Sequence, residues 1–234
     1  MAKVLILSGA GLSAESGIST FRDSGGLWEE YDVSVVCNYD SLQKNEALTI
    51  EFYDKRRAEL SSKEANRAHK VLAELKKNYG EDIAIITQNV DNLFEKAGLS
   101  NGEVIHLHGF MTELRCQSCE EVFEIGYEKQ KNFHDGFCPS CSSKLRPNIV
   151  FFGEQAPLYE KLSQHINDCQ LLVVLGTSGE VVGVNEMARY VGNSILNNLE
   201  PSNAIEDSLF SKVLYMRATE AIDEIAETIE EFLS

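Results

Sequence analysis

Positive charge is scarce in this chain. Against 37 Asp and Glu it carries 21 Lys and Arg, a formal net charge of −16 at pH 7. That argues against nucleic acid as a main ligand, because phosphate recognition needs a basic surface. The charge suits a basic partner such as a lysine-rich protein segment, or it simply keeps the protein soluble. Long apolar runs are also missing. None approaches the roughly 18–20 residues that span a bilayer. Val4–Leu7 is too short for a signal-peptide core. The chain has no low-complexity tract and no internal repeat. Together these absences predict a soluble, cytoplasmic protein with neither a membrane nor a nucleic-acid partner.

What is present supports a packed core. Of 234 residues, 43% are hydrophobic, enough for one large domain or a large one with a small companion. The opening stretch, Val4-Leu5-Ile6-Leu7-Ser8-Gly9-Ala10-Gly11-Leu12-Ser13-Ala14-Glu15, runs from a short apolar strand into a glycine turn. Gly9-x-Gly11-x-x-Ala14 fits the dinucleotide fingerprint. One Gly makes the turn, the next admits a pyrophosphate close to the backbone, and a small third residue lets helix pack on strand. The acidic residue expected about 20 residues on, which would hold a ribose, is not evident. A nucleotide here would therefore seat its ribose differently from that of an ordinary dehydrogenase.

Five apolar runs read as buried parallel strands: Val4–Leu7, Ile83–Ile86, Ile149–Phe152, Leu171–Leu175 and Val213–Tyr215. Ile195–Leu196 reads as a sixth. They lack alternation, as strands do when helices cover both faces. Amphipathic patterns over Leu42–Leu60, Asn66–Lys77 and Ala221–Phe232 lie between or after them. The expected fold is α/β, a Rossmann-like parallel sheet with helices on both faces. Two segments leave that alternation, one helical and one rich in cysteine and turns. The predicted organisation is a nucleotide-binding domain of residues 1–28, 80–113 and 147–234. Residues 29–79 and 114–146 then form a small discontinuous helical and zinc-binding domain. Polar clusters follow several strands: Thr87–Asn92, Gly176–Gly179 and Asn197-Asn198. Ligands in open α/β sheets bind beyond such carboxyl ends.

Cys116-x2-Cys119, then 18 residues, then Cys138-x2-Cys141, is zinc-ribbon spacing. Four thiolates close a tetrahedral ion and leave no position for water, so one structural Zn2+ is expected rather than a catalytic one. Two disulfides are the alternative, which a reducing compartment disfavours. Cys37 and Cys169 read as ordinary thiols. Of the five histidines, His108 precedes Gly109 at the expected junction of sheet and insertion, and a histidine is the natural general base near neutral pH. His106, two residues away, competes for that role. On spacing alone either is more commonly a histidine packed at a strand end. His69 reads as a packing or hydrogen-bonding helix residue, His134 and His165 as surface.

These motifs, in this order, resemble the sirtuins, NAD-dependent protein lysine deacylases. The matches are Gly9–Ile18 with Phe21-Arg22-Asp23, Thr87–Leu93, His108-Gly109, the four cysteines, Arg146-Pro147, Phe152-Gly153-Glu154, Gly176-Thr177-Ser178 and Asn198–Pro201. The resemblance implies NAD as co-substrate, held by Gly9, Ala10, Gly11, Ser13, Ala14, Glu15, Phe21, Arg22 and Trp28. It implies Gln88, Asn89 and Asp91 at the nicotinamide and ribose, and Gly176, Thr177, Ser178, Asn198, Leu199 and Ala218 at the adenosine half. It implies catalytic roles for His108 and Asn89. The acyl-lysine oxygen would attack the ribose, nicotinamide would leave, and His108 would act as base on a ribose hydroxyl. Phe152, Gly153 and Glu154 are implied to pair with the peptide as an added strand. The partner would be acylated lysine in a protein or peptide.

Tyr53 and Arg56, at i and i+3, share a helix face. The commoner reading of such a segment is a solvated basic face. It is similar, however, to the Tyr-x-x-Arg element of sirtuins that remove succinyl and malonyl groups, where hydroxyl and guanidinium bind a carboxylate. The expected activity is desuccinylase and demalonylase, with deacetylase activity alongside. The alternatives are a deacetylase only, a sirtuin-like ADP-ribosyltransferase, or an NAD-binding module without catalysis. Three positions depart from the pattern: Phe94 where histidine is common, His106 where an acid is common, and Gly183 where proline is usual.

Overall fold

The computed structural model describes residues 2–19 and 31–234. Among these, a six-stranded all-parallel sheet is built from β1 (Val4–Ser8), β2 (Ile83–Thr87), β3 (Val104–His106), β7 (Leu171–Leu175), β8 (Ser194–Asn198) and β9 (Lys212–Tyr215). Its order is β3-β2-β1-β7-β8-β9. Strands one, two and three of this sheet run outward on one side and four, five and six on the other. The order therefore reverses between β1 and β7, the crevice where such folds bind nucleotides.

Strand period two sorts the core into two layers. Val4 and Ile6 join a cluster with Leu72 and Leu75 of helix Arg67–Tyr79 and Ile222 and Ile225 of helix Ala218–Leu233. Leu5 and Leu7 join another with Leu162 of helix Tyr159–Asp168 and Met187 of helix Val184–Val191. Every residue of β1, β2, β7 and β8 is buried. That is why their sequence shows no alternation.

A second sheet, order β5-β4-β6, is antiparallel and consists of β4 (Gly109–Cys116), β5 (Val122–Glu124) and β6 (Leu145–Ile149). Here the structure corrects one expectation. Ile149–Phe152 is not a strand of the parallel sheet. Its first residue ends β6, and Phe152 makes an isolated bridge with Asn38. The burial explains why: Ile149 and Phe151 face the helical module, while Val150 is half-buried and Phe152 exposed. The run is apolar in composition yet half-buried in place. A second correction concerns β3, a three-residue edge strand too short to register as a run.

The expected helix over Leu42–Leu60 divides into Tyr39–Leu42 and Glu46–Ser61. Between them Asn45 turns back, its Nδ2 donating to Ser41 Oγ at 2.8 Å. Phe52, Tyr53 and Leu60 of the longer helix pack with Val36, Leu93, Met111 and Phe151. Arg57, with no exposed surface, ties this helix to the antiparallel sheet. Its Nε donates to Met111 O at 2.9 Å and Nη1 to Asp54 Oδ1 at 2.7 Å. The Arg56-Arg57 pair is thus not a solvated basic face. No helix among the described residues is long and apolar enough to cross a membrane.

Candidate active site

The site assembles where β1 meets β7. Gly9 N donates to Leu175 O, and Gly11 N to Gly176 O at 2.8 Å. A Cβ on Gly9 would lie 2.7 Å from Gly176 O, and one on Gly11 2.8 Å from Gly176 Cα. Gly176 itself has φ +61. The glycines are therefore required because two backbone turns touch each other. The short helix Ala10–Ala14 starts at Gly9 with no side-chain cap and no acidic residue in its first turn. Gly11 N and Leu12 N already have backbone acceptors, and the turn leaves room beside the helix start where a pyrophosphate could come close to the backbone.

Side chains from the helix after β1 and from the segment after β2 cross-link this turn. Ser13 Oγ donates to Asp91 Oδ2 at 2.8 Å, and Asn89 Nδ2 donates to Gly9 O and Ser13 Oγ at 3.0 and 2.9 Å. Burial raises the Asp91 pKa, opposed by the Ser13 and Leu93 hydrogen bonds. Gln88 Nε2 donates to Thr177 Oγ1 at 3.0 Å, and Asn198 Nδ2 to Thr177 O at 2.9 Å. Glu15 is held by the start of the last helix, accepting from Thr219 N at 3.2 Å and from its hydroxyl.

The two competing histidines are separated by their surroundings. His106 Nδ1 is 3.0 Å from Asn89 O and Nε2 is 3.0 Å from Glu95 Oε1. Both partners only accept, which favours the doubly protonated ring. Burial pushes its pKa down, but the Glu95 carboxylate outweighs burial and the net direction is up. His108 faces the cleft, with Nδ1 2.9 Å from Gln88 O and Nε2 3.0 Å from Tyr159 Oη. Burial lowers its pKa, so it is the more fully neutral imidazole. His69 is wholly buried against Phe94, with neither ring nitrogen partnered among the described residues, and burial drives its pKa down to about 3. It packs and does not hydrogen-bond through its ring.

One cleft of about 900 Å³ is lined by all the described nucleotide, base, acyl-pocket and peptide positions named from the sequence. Phe21, Arg22 and Trp28 lie outside the described residues. Tyr53 is 3% exposed and Arg56 9%, and both border this cleft. Tyr53 Oη donates to Cys37 Sγ at 3.5 Å, and Arg56 Nη1 to Glu59 Oε2 at 3.3 Å. Burial raises the Tyr53 and Cys37 pKa values and lowers that of Arg56. Glu154 points inward, accepting from both Arg146 Nη atoms at 2.6 and 2.7 Å and from Phe151 N. Phe152 N and O are already bonded to Cys37 O and Tyr39 N. An added peptide strand would therefore have to use neighbouring groups.

Two cleft residues escaped the sequence. Cys37 stands beside the Tyr53 hydroxyl, and Tyr159 beside His108. Neither sits in a motif. Only the helix-start position of Tyr159, two residues after Pro157, singles it out.

The cysteine cluster lies apart, on the antiparallel sheet. The four Sγ atoms fall within 4.8 Å of one another, with separations of 3.4, 3.7 and 3.6 Å for 116–141, 119–138 and 119–141. Thiolates about 2.3 Å from a tetrahedral zinc would be about 3.8 Å apart. All six cysteines are free. The donor set fits a structural zinc, and nearby Leu114 and Leu145 give this module only a small core of its own.

Comparison with known proteins agrees with this geometry. The Sir2 family matches residues 9–183. An NAD-dependent protein deacylase of Campylobacter jejuni is 48% identical over 234 residues, spanning 100% of this chain and 98% of the relative. One of Helicobacter hepaticus is 42% identical over 257 residues, spanning 99% of each. A crystal structure of a Sir2 homolog–NAD complex superimposes with a TM-score of 0.84 at 32% identity, covering 100% of this chain and 91% of that one. A parallel sheet that reverses at the glycine turn, a four-thiol module beside it and similarity along the full length lead to one assignment: the chain belongs to the Sir2 family.

Proposed function

We propose that this chain is an NAD-dependent protein lysine deacylase whose acyl pocket takes groups ending in a carboxylate, succinyl and malonyl, and acetyl as well. The observation that carries the acyl preference is the placement of Tyr53 and Arg56. They lie one helical turn apart, both buried, on the wall of the cleft that also holds His108. A buried guanidinium facing a cavity is costly unless it meets an anion there or nearby. A terminal carboxylate would supply a second acceptor beside Glu59, with the Tyr53 hydroxyl as further donor.

NAD supplies an electrophilic ribose carbon with nicotinamide as its leaving group. The protein's part is to bind, orient and move a proton. The Ala10–Ala14 helix start and the Gly176–Ser178 turn would hold the phosphates and adenosine half, with Asn198, Leu199 and Ala218 beyond them. Asn89 and Asp91, cross-linked through Ser13, would fix the ribose. His108 carries its proton on Nδ1, held by Gln88 O, so Nε2 is the atom free to accept one from a hydroxyl. We assign residues 29–79 and 114–146 to a small domain flanking this cleft. On a chain of net charge −16, we place neither nucleic acid nor membrane among its partners. Six free cysteines suit a reducing cytoplasm.

The test is NAD-dependent turnover on matched acetyl-, malonyl- and succinyl-lysine peptides, read by mass spectrometry. Malonyl or succinyl turnover above acetyl is the expected result. Acetyl turnover alone would remove the acidic-acyl reading and leave the deacylase. ADP-ribose appearing on protein, rather than in an O-acyl product, would replace deacylation by transfer.

A further inference from the structure

The general base has a neighbour that the reaction as derived does not use. His108 sits in the turn between β3 and β4, where Leu107 N bonds Thr87 O and Val150 N bonds His108 O. Its ring is held from both ends. Gln88 O can only accept, so Nδ1 is the protonated nitrogen and Nε2 presents a lone pair. Tyr159 Oη lies 3.0 Å from that lone pair and must donate to it. The rings are not stacked, with centroids 6.0 Å apart and planes at 32°, so the hydroxyl is the point of contact. Tyr159 opens helix Tyr159–Asp168, lines the cleft, and packs partly buried against the core layer of Leu5 and Leu7.

An imidazole Nε2 has one in-plane lone pair. It cannot serve Tyr159 and a substrate hydroxyl together. We propose that Tyr159 is a positioning residue for His108, donating to Nε2 in the substrate-free enzyme and giving up that nitrogen to the substrate hydroxyl on productive binding. This rests on His108 being the base. In the free enzyme the bond selects the Nδ1–H tautomer, the one the reaction needs, and keeps water from taking Nε2. It also favours the neutral ring, since a donor to Nε2 is lost when that nitrogen is protonated.

Four other ionisable groups at or beside the cleft have partners of their own. Asp91 faces Ser13, His106 faces Glu95, Glu154 faces Arg146, and Arg56 faces Glu59. Burial and the Gln88 carbonyl shift the His108 pKa. The Tyr159 hydroxyl, 3.0 Å from Nε2, is the one contact that Tyr159→Phe removes from this ring.

The experiment compares wild type with Tyr159→Phe, which keeps the ring and removes the donor. The His108 imidazole is titrated by NMR in the substrate-free enzyme, its resonance assigned by its loss in His108→Asn. The pH profile of kcat is measured with saturating NAD and acyl peptide. We expect the His108 midpoint in the free enzyme to rise by about half a pH unit, the equivalent of one modest hydrogen bond. We expect the acid limb of kcat to coincide in the two proteins, because Tyr159 has left by then. An unchanged midpoint in the free enzyme overturns the donation. Equal upward movement in both measurements overturns the displacement. A wild-type kcat profile without an acid limb defeats the base assignment and this proposal with it. The NMR titration, which needs no turnover, tells that failure from the first.

Discussion

Ser13 Oγ donates to Asp91 Oδ2 across 2.8 Å, joining the helix after β1 to the segment after β2. The same hydroxyl accepts from Asn89 Nδ2 at 2.9 Å. One small side chain thus sets the distance between the nucleotide turn and the residues placed at the ribose.

Ser13→Ala removes that link and leaves a buried carboxyl short of a donor. The expected cost is about 1–2 kcal/mol, a fall in melting temperature of about 2–8 °C, with a higher KM for NAD. Thermal melts and initial rates measure both. A melt that falls with an unchanged KM would make the link structural only.

Arg56→Met preserves the stem and deletes the guanidinium. Turnover of succinyl-lysine peptide is expected to fall about 10- to 150-fold, the range of one charge-assisted contact, with acetyl-lysine turnover within about threefold of wild type. Equal losses on both peptides would sink the carboxylate role of Arg56.

Zinc removal should act locally. The module around Cys116, Cys119, Cys138 and Cys141 has few apolar residues to hold it without metal. Stripping one zinc per chain with a chelator, or Cys141→Ser, is expected to open residues 116–145 to protease first. Mass spectrometry of early fragments locates the cuts. First cleavage elsewhere, such as around β1, would contradict it.

His69 makes stability depend on pH. Its pKa is near 3 in the folded state against 6.5 for the free side chain. Its folded value is the lower one, so the contribution is intact above pH 6.5 and is lost as pH falls toward 3. Wild type should lose about 1.4 kcal/mol per pH unit more than His69→Leu over this window, since the carboxylates titrate alike in both. Urea unfolding at pH 7, 6, 5 and 4 gives the difference. Parallel curves for the two proteins would refute it.

Much of the fold was legible because burial leaves its mark on composition. β1, β2 and β7 read as unbroken apolar runs because helices cover both their faces. Ile149–Phe152 has the same composition but alternates in burial, and composition alone does not separate the two. The nucleotide turn was legible through its glycines, whose reason is steric: Gly9 and Gly11 press on Gly176, about 165 positions further along. Spacing alone left the choice between His106 and His108 open, and only the resemblance at His108-Gly109 pointed to His108. Both lie in one short segment, and their tertiary partners, Glu95 for one and the open cleft for the other, distinguish them. Tyr159 was invisible for the same reason, its meaning residing wholly in a contact 51 residues away. Phe94, a departure from the family pattern, gains its sense from His69, against whose ring it packs at 5.0 Å.

The contact between Gly11 N and Gly176 O also carries a timetable. β1 is synthesised long before one of its two neighbours, β7, which begins only at Leu171. During synthesis the glycine turn waits beside an unfilled sheet edge until β7 and Gly176 have been made. Loop closure over that span is slow. The ligand-binding crevice is therefore among the last parts of the molecule to take shape, and a nascent chain stalled before β7 would present an apolar, unpaired strand edge to whatever it met.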